Sequence, residues 1–205
     1  MDTTIYENAD ILDCTGRDVI PRGRVVVVGE RIHKVGPRNR IAIPKGARVL
    51  DLEGQFIMPG LIDAHAHVAL VEAKMSGFES KHPGATYAFA VGQNIHNTLM
   101  QGYTTIRDAG GCDWSFKLAV ERGLIKGPRI FVSNGVLSQT GGHGDHRERH
   151  DRRETHHDHP LMASAVIADG VDQVRMATRE QIRTGADQIK VMAGGGASSP
   201  TDRVE

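Results

Sequence analysis

Residues 56–68 read FIMPGLIDAHAHV, a short apolar run interrupted by Pro59-Gly60 and closed by two histidines. His65 and His67 stand two apart, so in an extended strand both imidazoles leave the same face. At the C-terminal end of a parallel strand they project into the mouth where α/β active sites sit. Two neutral imidazoles there suit a borderline divalent metal such as zinc. A bare His-x-His also describes a pair of structural histidines. The Pro-Gly, the apolar strand and Asp63 favour the metal reading.

Downstream of this stretch, strand and helix patterns alternate. Between Ala85 and Gln101, Phe89, Gly92, Ile95 and Leu99 recur at helical steps, and Gly102 ends the helix. Tyr103–Ile106 reads as a second strand, Trp114–Arg122 as a short helix stopped by Gly123, and Arg129–Val132 as a third strand. Val171, Val174, Thr178 and Ile182 mark the inner face of the next helix, Gly185 closes it, and Gln188–Met192 is a fourth strand. This order predicts parallel βαβ units wound right-handed. The stretch from Gly135 to about Ala165 is far longer than an ordinary connection, and such loops are usually functional or disordered.

Upstream, residues 1–55 carry no helical period. Ile5 to Leu12 is a candidate strand, Arg24–Val28 and Arg31–Val35 form a hairpin across Gly29-Glu30, and Arg48–Leu52 follows a Pro-Lys-Gly turn. The chain therefore divides into a small all-β piece, residues 1–55, and an α/β piece, residues 56–205.

Charge and composition remove several classes of function. Twenty-five basic and twenty-five acidic residues balance, which argues against binding nucleic acid or a membrane surface through a broad basic field. No run approaches the ~18–20 apolar residues needed to span a bilayer. The N-terminal MDTTIYENADIL lacks the features of a secretory signal. Cys14 and Cys112 are too few for a disulfide scaffold and read as small buried hydrophobes, so a cytoplasmic location is expected.

Lys190 lies inside the apolar segment Gln188–Met192 and ahead of Gly194, Gly195 and Gly196. An ammonium cannot bind a cation, but desolvation lowers its pKa and makes the amine nucleophilic. Reaction with carbon dioxide then gives a carbamate, an anion able to bridge two metals. The alternative is a lysine that snorkels from a strand end.

Taken together, PGLIDAHAHV (59–68), GYTTIRDAGG (102–111), SQTGGHGD (138–145) and GADQIKVMAGGGASSP (185–200) resemble the amidohydrolase superfamily. More narrowly, they are similar to its imidazolonepropionase-related, prolidase-like branch, which cleaves N-acyl amino acids or dipeptides. The resemblance implies the N-terminal part of a metal-dependent (β/α)8 barrel, about four βα units, plus part of a small β-sandwich. It implies that His65 and His67 hold the more buried metal and that carbamylated Lys190 bridges to a second. His143 matches a family position that contacts substrate near the scissile carbonyl; by itself it also reads as an exposed loop histidine. The implied cofactors are two divalent ions, zinc foremost, and the implied substrate is a small amide or dipeptide attacked by a metal-activated hydroxide. Cyclic-amide hydrolysis shares this metal logic. A non-catalytic, metal-binding fragment is the reading from outside enzymology.

Arg107 and Asp108, at the end of the second strand, read as a salt-bridged structural pair. The family draws two further histidines and a catalytic aspartate from later strands, whereas the fifteen residues after Lys190 contain no histidine. A complete barrel typically takes ~250 residues, and this chain has 205. The expectation is half of such an enzyme, with its first and fourth strands at unpaired edges that invite self-association or a complementing C-terminal half. Residues 143–159 hold six of the eleven histidines among four arginines and five acids. A solvated, charge-balanced loop is favoured there over an independent metal tract.

Overall fold

The computed structural model describes residues 2–71, 83–152, 162–163 and 165–196. The chain divides into two compact units, Met1–Gly60 and Leu61–Glu205.

The first unit is a five-stranded sheet built from β1 (Thr3–Ile11), β2 (Ile20–Val28), β3 (Arg31–Pro37), β4 (Arg48–Asp51) and β5 (Phe56–Ile57). Its order is β3-β2-β1-β4, with β5 also pairing with β1. β1–β2 and β2–β3 are antiparallel, whereas β4 and β5 both run parallel to β1. The β2–β3 reversal needs a left-handed residue, supplied by Gly29 at φ 59°. Ile5, Val26 and Ile41 form one buried cluster, and Ala9, Ile11 and Val25 another. The buried Arg24 guanidinium donates to the Glu7 carboxylate and the Ile41 carbonyl, which offsets the cost of desolvating its charge.

The second unit runs β6 (Leu61–Ala66), α1 (Gly84–Met100), β7 (Tyr103–Asp108), β8 (Gly111–Cys112), α2 (Trp114–Glu121), β9 (Arg129–Val132), β10 (Leu137–Ser138), β11 (Met162–Ala163), β12 (Val166–Ile167) and α3 (Gly170–Arg183). β6, β7 and β9 form a parallel sheet in that order. β8 and β11 pair antiparallel, and β10 and β12 pair in parallel. Side-chain alternation gives the three-stranded sheet two unlike faces. Ile106, Ile130 and Val132 are buried with Tyr87, Val91 and Ile95 of α1 and Phe116 of α2. On the opposite face Arg107, Arg129 and Phe131 are exposed. Asp113 caps α2 by accepting from the Ser115 amide at 2.8 Å.

Several expectations shift in register or extent. The buried stripe of α1 is Tyr87, Val91 and Ile95, whereas Phe89 is 79% exposed. The two stripes share Ile95, and the helical period alone does not choose between them. In α3 the buried residues are Ala177 and Gln181, with Val171, Val174 and Ile182 exposed. Gln181 turns inward because its side-chain oxygen accepts from the Gly135 amide at 3.0 Å. The expected fourth strand is reduced to one parallel bridge, Leu137↔Val191, with Leu137 donating to the Lys190 carbonyl and accepting from Met192. The apolar run from Phe56 is shared: Phe56–Ile57 pairs with β1, and β6 begins at Leu61. Cys112 is buried, but Cys14 is exposed in a left-handed turn position.

Arg107 and Asp108 do not form a salt bridge. They alternate to opposite faces of β7, where Arg107 Nε donates to the Ala64 carbonyl at 2.7 Å and Asp108 turns into the core. The long stretch from Gly135 is tied down where it is described. The Gly141 amide donates to Asp145, the Gly144 amide to Ser138 and the Thr140 amide to Asp169. His156, His157 and His159 lie outside the described residues.

Candidate active site

β6 ends by placing two imidazoles next to each other, with His65 and His67 ring centres 5.3 Å apart and their planes inclined by 58°. Two imidazoles bound to one tetrahedral ion through nitrogens ~2.0–2.1 Å away have ring centres about 5 Å apart, so this spacing fits a shared metal. The Asp63 carboxylate accepts from the His65 amide at 2.9 Å, turning the chain at the strand end. His67 Nδ1 lies 2.9 Å from the Gly110 carbonyl. A carbonyl only accepts, so Nδ1 carries a proton, and in the neutral ring the lone pair lies on Nε2.

Lys190 is half-buried and comes close enough to His65 to be the largest influence on it. The ammonium charge, followed by desolvation, holds the His65 imidazole below its ordinary pKa and favours its neutral, metal-binding form. The Lys190 segment is fastened to β9 at its start. The Asp187 amide donates to the Val132 carbonyl at 2.8 Å, and the Asp187 carboxylate accepts from the Val132 amide and from Lys117 Nζ. Gln188 Nε2 donates to the Asp108 carbonyl at 3.0 Å, which ties this segment to the end of β7.

His143 is half-buried in the loop after β10, and the Gly196 backbone lies so close to its ring that a Cβ there would overlap it. The loop holding His143 and the segment six residues beyond Lys190 therefore meet. Two residues on, Asp145 is held well below the usual carboxylate range, chiefly by its hydrogen bonds from Arg147.

Asp108 is fully buried, and burial pushes its carboxyl up to about 6 against three backbone amides that favour the anion. It holds the amide of Val68, which follows His67, and the amide of Gly110, whose carbonyl meets the His67 ring. The sequence signal for this role was an Asp at a strand end followed by Ala-Gly-Gly, a pattern that turns backbone amides back on a carboxylate. Among the described residues, no three His, Cys, Asp or Glu side chains converge as a metal site. The spacing of His65 and His67 is what suits one.

Residues 56–201 match the amidohydrolase family model. The chain belongs to the amidohydrolase family. An ochratoxinase of Aspergillus niger is 36% identical over 161 residues, 71% of this chain and 32% of that protein. An imidazolonepropionase of Yersinia pestis is 33% identical over 87 residues, 42% of this chain and 21% of the relative. Among solved structures, a prolidase crystallised with N-methylphosphonate-L-proline is 42% identical with a TM-score of 0.89, over 98% of this chain and 49% of its own. This amidohydrolase chain thus spans about half the length of that prolidase and about a third of the ochratoxinase. Its mixed α/β content fits the family. No helix of its described residues is long and apolar enough to cross a membrane.

Proposed function

We propose that this chain supplies half of a metal-dependent hydrolase that cleaves an amide C–N bond of a small N-acyl amino acid or dipeptide. The observation that carries the reading is the pair His65 and His67, ring centres 5.3 Å apart, with the Lys190 charge acting on His65. The similarity to a prolidase crystallised with an N-phosphonyl proline supports the substrate class. A tetrahedral phosphonate on the proline nitrogen has the shape of an amide carbonyl after a nucleophile has added.

In this reading His65 and His67 hold one divalent ion, zinc foremost, through neutral imidazoles. The Lys190 amine, once it loses a proton, would add to carbon dioxide; the new N–C bond makes a carbamate and a second proton leaves, so an anion able to hold a divalent ion would replace a cation. A divalent metal bound here supplies Lewis acidity and a water acidic enough to react at neutral pH. His143 donates toward the scissile carbonyl oxygen and stabilises the charge that develops there.

The same reading assigns the second unit to the first four βα units of a (β/α)8 barrel and the first unit to part of a β-sandwich. The in-order parallel strands β6, β7 and β9, with helices over one face and exposed Ile62 and Phe131 on the other, support it. The imidazolonepropionase match favours cyclic-amide hydrolysis as the second reading, over a smaller share of the chain.

The test measures metal content and hydrolysis of a panel of N-acyl amino acids, dipeptides and cyclic amides. The chain is assayed alone and together with a C-terminal half taken from a prolidase-like relative. Retained zinc that is lost in His65→Ala and His67→Ala, with turnover only in the complemented sample, is the expected result. Zinc retention unaffected by either substitution overturns the metal assignment, and turnover of cyclic amides alone selects the second reading.

A further inference from the structure

The Asp108 carboxylate spends its acceptor sites on backbone. Oδ2 accepts from the Val68 amide at 2.8 Å, and Oδ1 from the Gly110 amide at 3.0 Å and the Cys112 amide at 3.2 Å. The residue is fully buried, where a carboxylate is costly unless donors surround it. The fold keeps it there, and the three donors share a location. Val68 follows His67 directly, and the Gly110 carbonyl is the acceptor for His67 Nδ1. One carboxylate thus grips the amide that follows His67 and also the amide of Gly110, the residue whose carbonyl meets its ring.

The gripped turn is itself constrained. Gly110 has φ 136°, a region that side-chain-bearing residues avoid, and a Cβ there would overlap Val136. The Asp108 carbonyl also receives Gln188 Nε2, two residues before Lys190. Asp108 is therefore joined by hydrogen bonds to both segments that carry the candidate ligands.

We propose that Asp108 is the positioning residue for His67: by clamping Val68 and Gly110 it holds the imidazole in its Nδ1–H tautomer and aims the Nε2 lone pair. That Nε2 serves a metal rests on the function proposed above; the tautomer and its direction do not. Groups that orient a ligating histidine typically affect metal affinity 10- to 100-fold when removed.

The experiment uses the full 205-residue chain with 15N-labelled histidine, as wild type, Asp108→Asn and Asp108→Ala. Metal-free NMR reads the His67 tautomer, zinc titration reads affinity, and circular dichroism reads the fold. The wild type is expected to show His67 protonated at Nδ1. Asp108→Asn keeps an oxygen for Gly110 and Cys112 but turns an amide donor toward Val68, so it should mix the tautomers and weaken zinc about tenfold. Asp108→Ala should do more, up to about 100-fold. Folded variants with the wild-type tautomer and zinc affinity overturn the proposal; if the alanine variant does not fold, the asparagine variant decides alone. Should the wild type bind no zinc, the metal assignment falls, and the tautomer comparison still supports or overturns the clamp.

Discussion

Tyr87 Oη donates to the Ala69 carbonyl at 2.9 Å, joining the first turn of α1 to the segment just after His67. Both residues are fully buried, so the acceptor has no access to water. Tyr87→Phe removes that bond, leaves the carbonyl with the Val71 amide at 3.1 Å, and preserves the ring's packing against Phe116. The expected cost is about 0.5–1.5 kcal/mol, read as a lower urea midpoint with an unchanged m-value.

Ile95 sits at the centre of the core between α1 and the parallel sheet, and its side chain fills the space beside Gly127. Ile95→Ala opens a cavity there. A loss of about 2–5 kcal/mol is expected in equilibrium unfolding, against well under 1 kcal/mol for Phe89→Ala on the exposed stripe. Comparable losses from the two would show that the helix is packed on the other stripe.

Asp145 is depressed below the usual carboxylate range in the folded chain, chiefly by Arg147. Its folded pKa lies below its unfolded one, so the stabilisation is complete above about pH 4 and is lost as pH falls toward the folded value. Asp145→Asn should lower Tm by roughly 2–4 °C at pH 7 and by progressively less in acid. Thermal melts between pH 7 and pH 2 check this, and a Tm difference that does not shrink with acid would contradict it.

Ile62 is 71% exposed and Phe131 40% exposed, and strand alternation puts them on the same face of the sheet. The isolated chain is expected to self-associate through this face. Ile62→Ser with Phe131→Ser should move it toward monomer in light scattering at micromolar concentration. A wild type that is already monomeric there would reject the prediction.

Under the proposed function, Lys190→Ala removes the bridging carbamate but leaves His65 and His67. In the complemented protein the second metal should be lost while the first remains, and the carbamate carbon signal from labelled carbon dioxide should vanish. Unchanged metal content in this variant would assign Lys190 to the strand-end alternative.

Much of the local architecture was legible in the sequence. The hairpin across Gly29-Glu30, the helix ending before Gly102 and the short helix from Trp114 all appear near the expected residues. Each depends on neighbours in sequence: a left-handed glycine, a helical period, an Asp cap. Which stripe of α1 or α3 turns inward was not legible, because adjacent stripes carry similar apolar residues and only the surface they meet distinguishes them. The expected Arg107–Asp108 pair failed for a related reason: successive strand residues point to opposite faces, and their partners lie elsewhere in the chain.

By itself, the sequence determined that His65 and His67 leave a strand end together, that glycines close α1 and α3, and that the motifs are those of an amidohydrolase. The tertiary structure alone decided that the Lys190 charge acts on His65, that the Gly110 carbonyl meets His67 Nδ1, and that Asp108 is buried with the Val68 and Gly110 amides on its carboxylate. Val68 and Asp108 are forty residues apart in sequence. A pattern of neighbours reports local period and turn, whereas a buried carboxylate is stabilised only by the donors that folding brings to it.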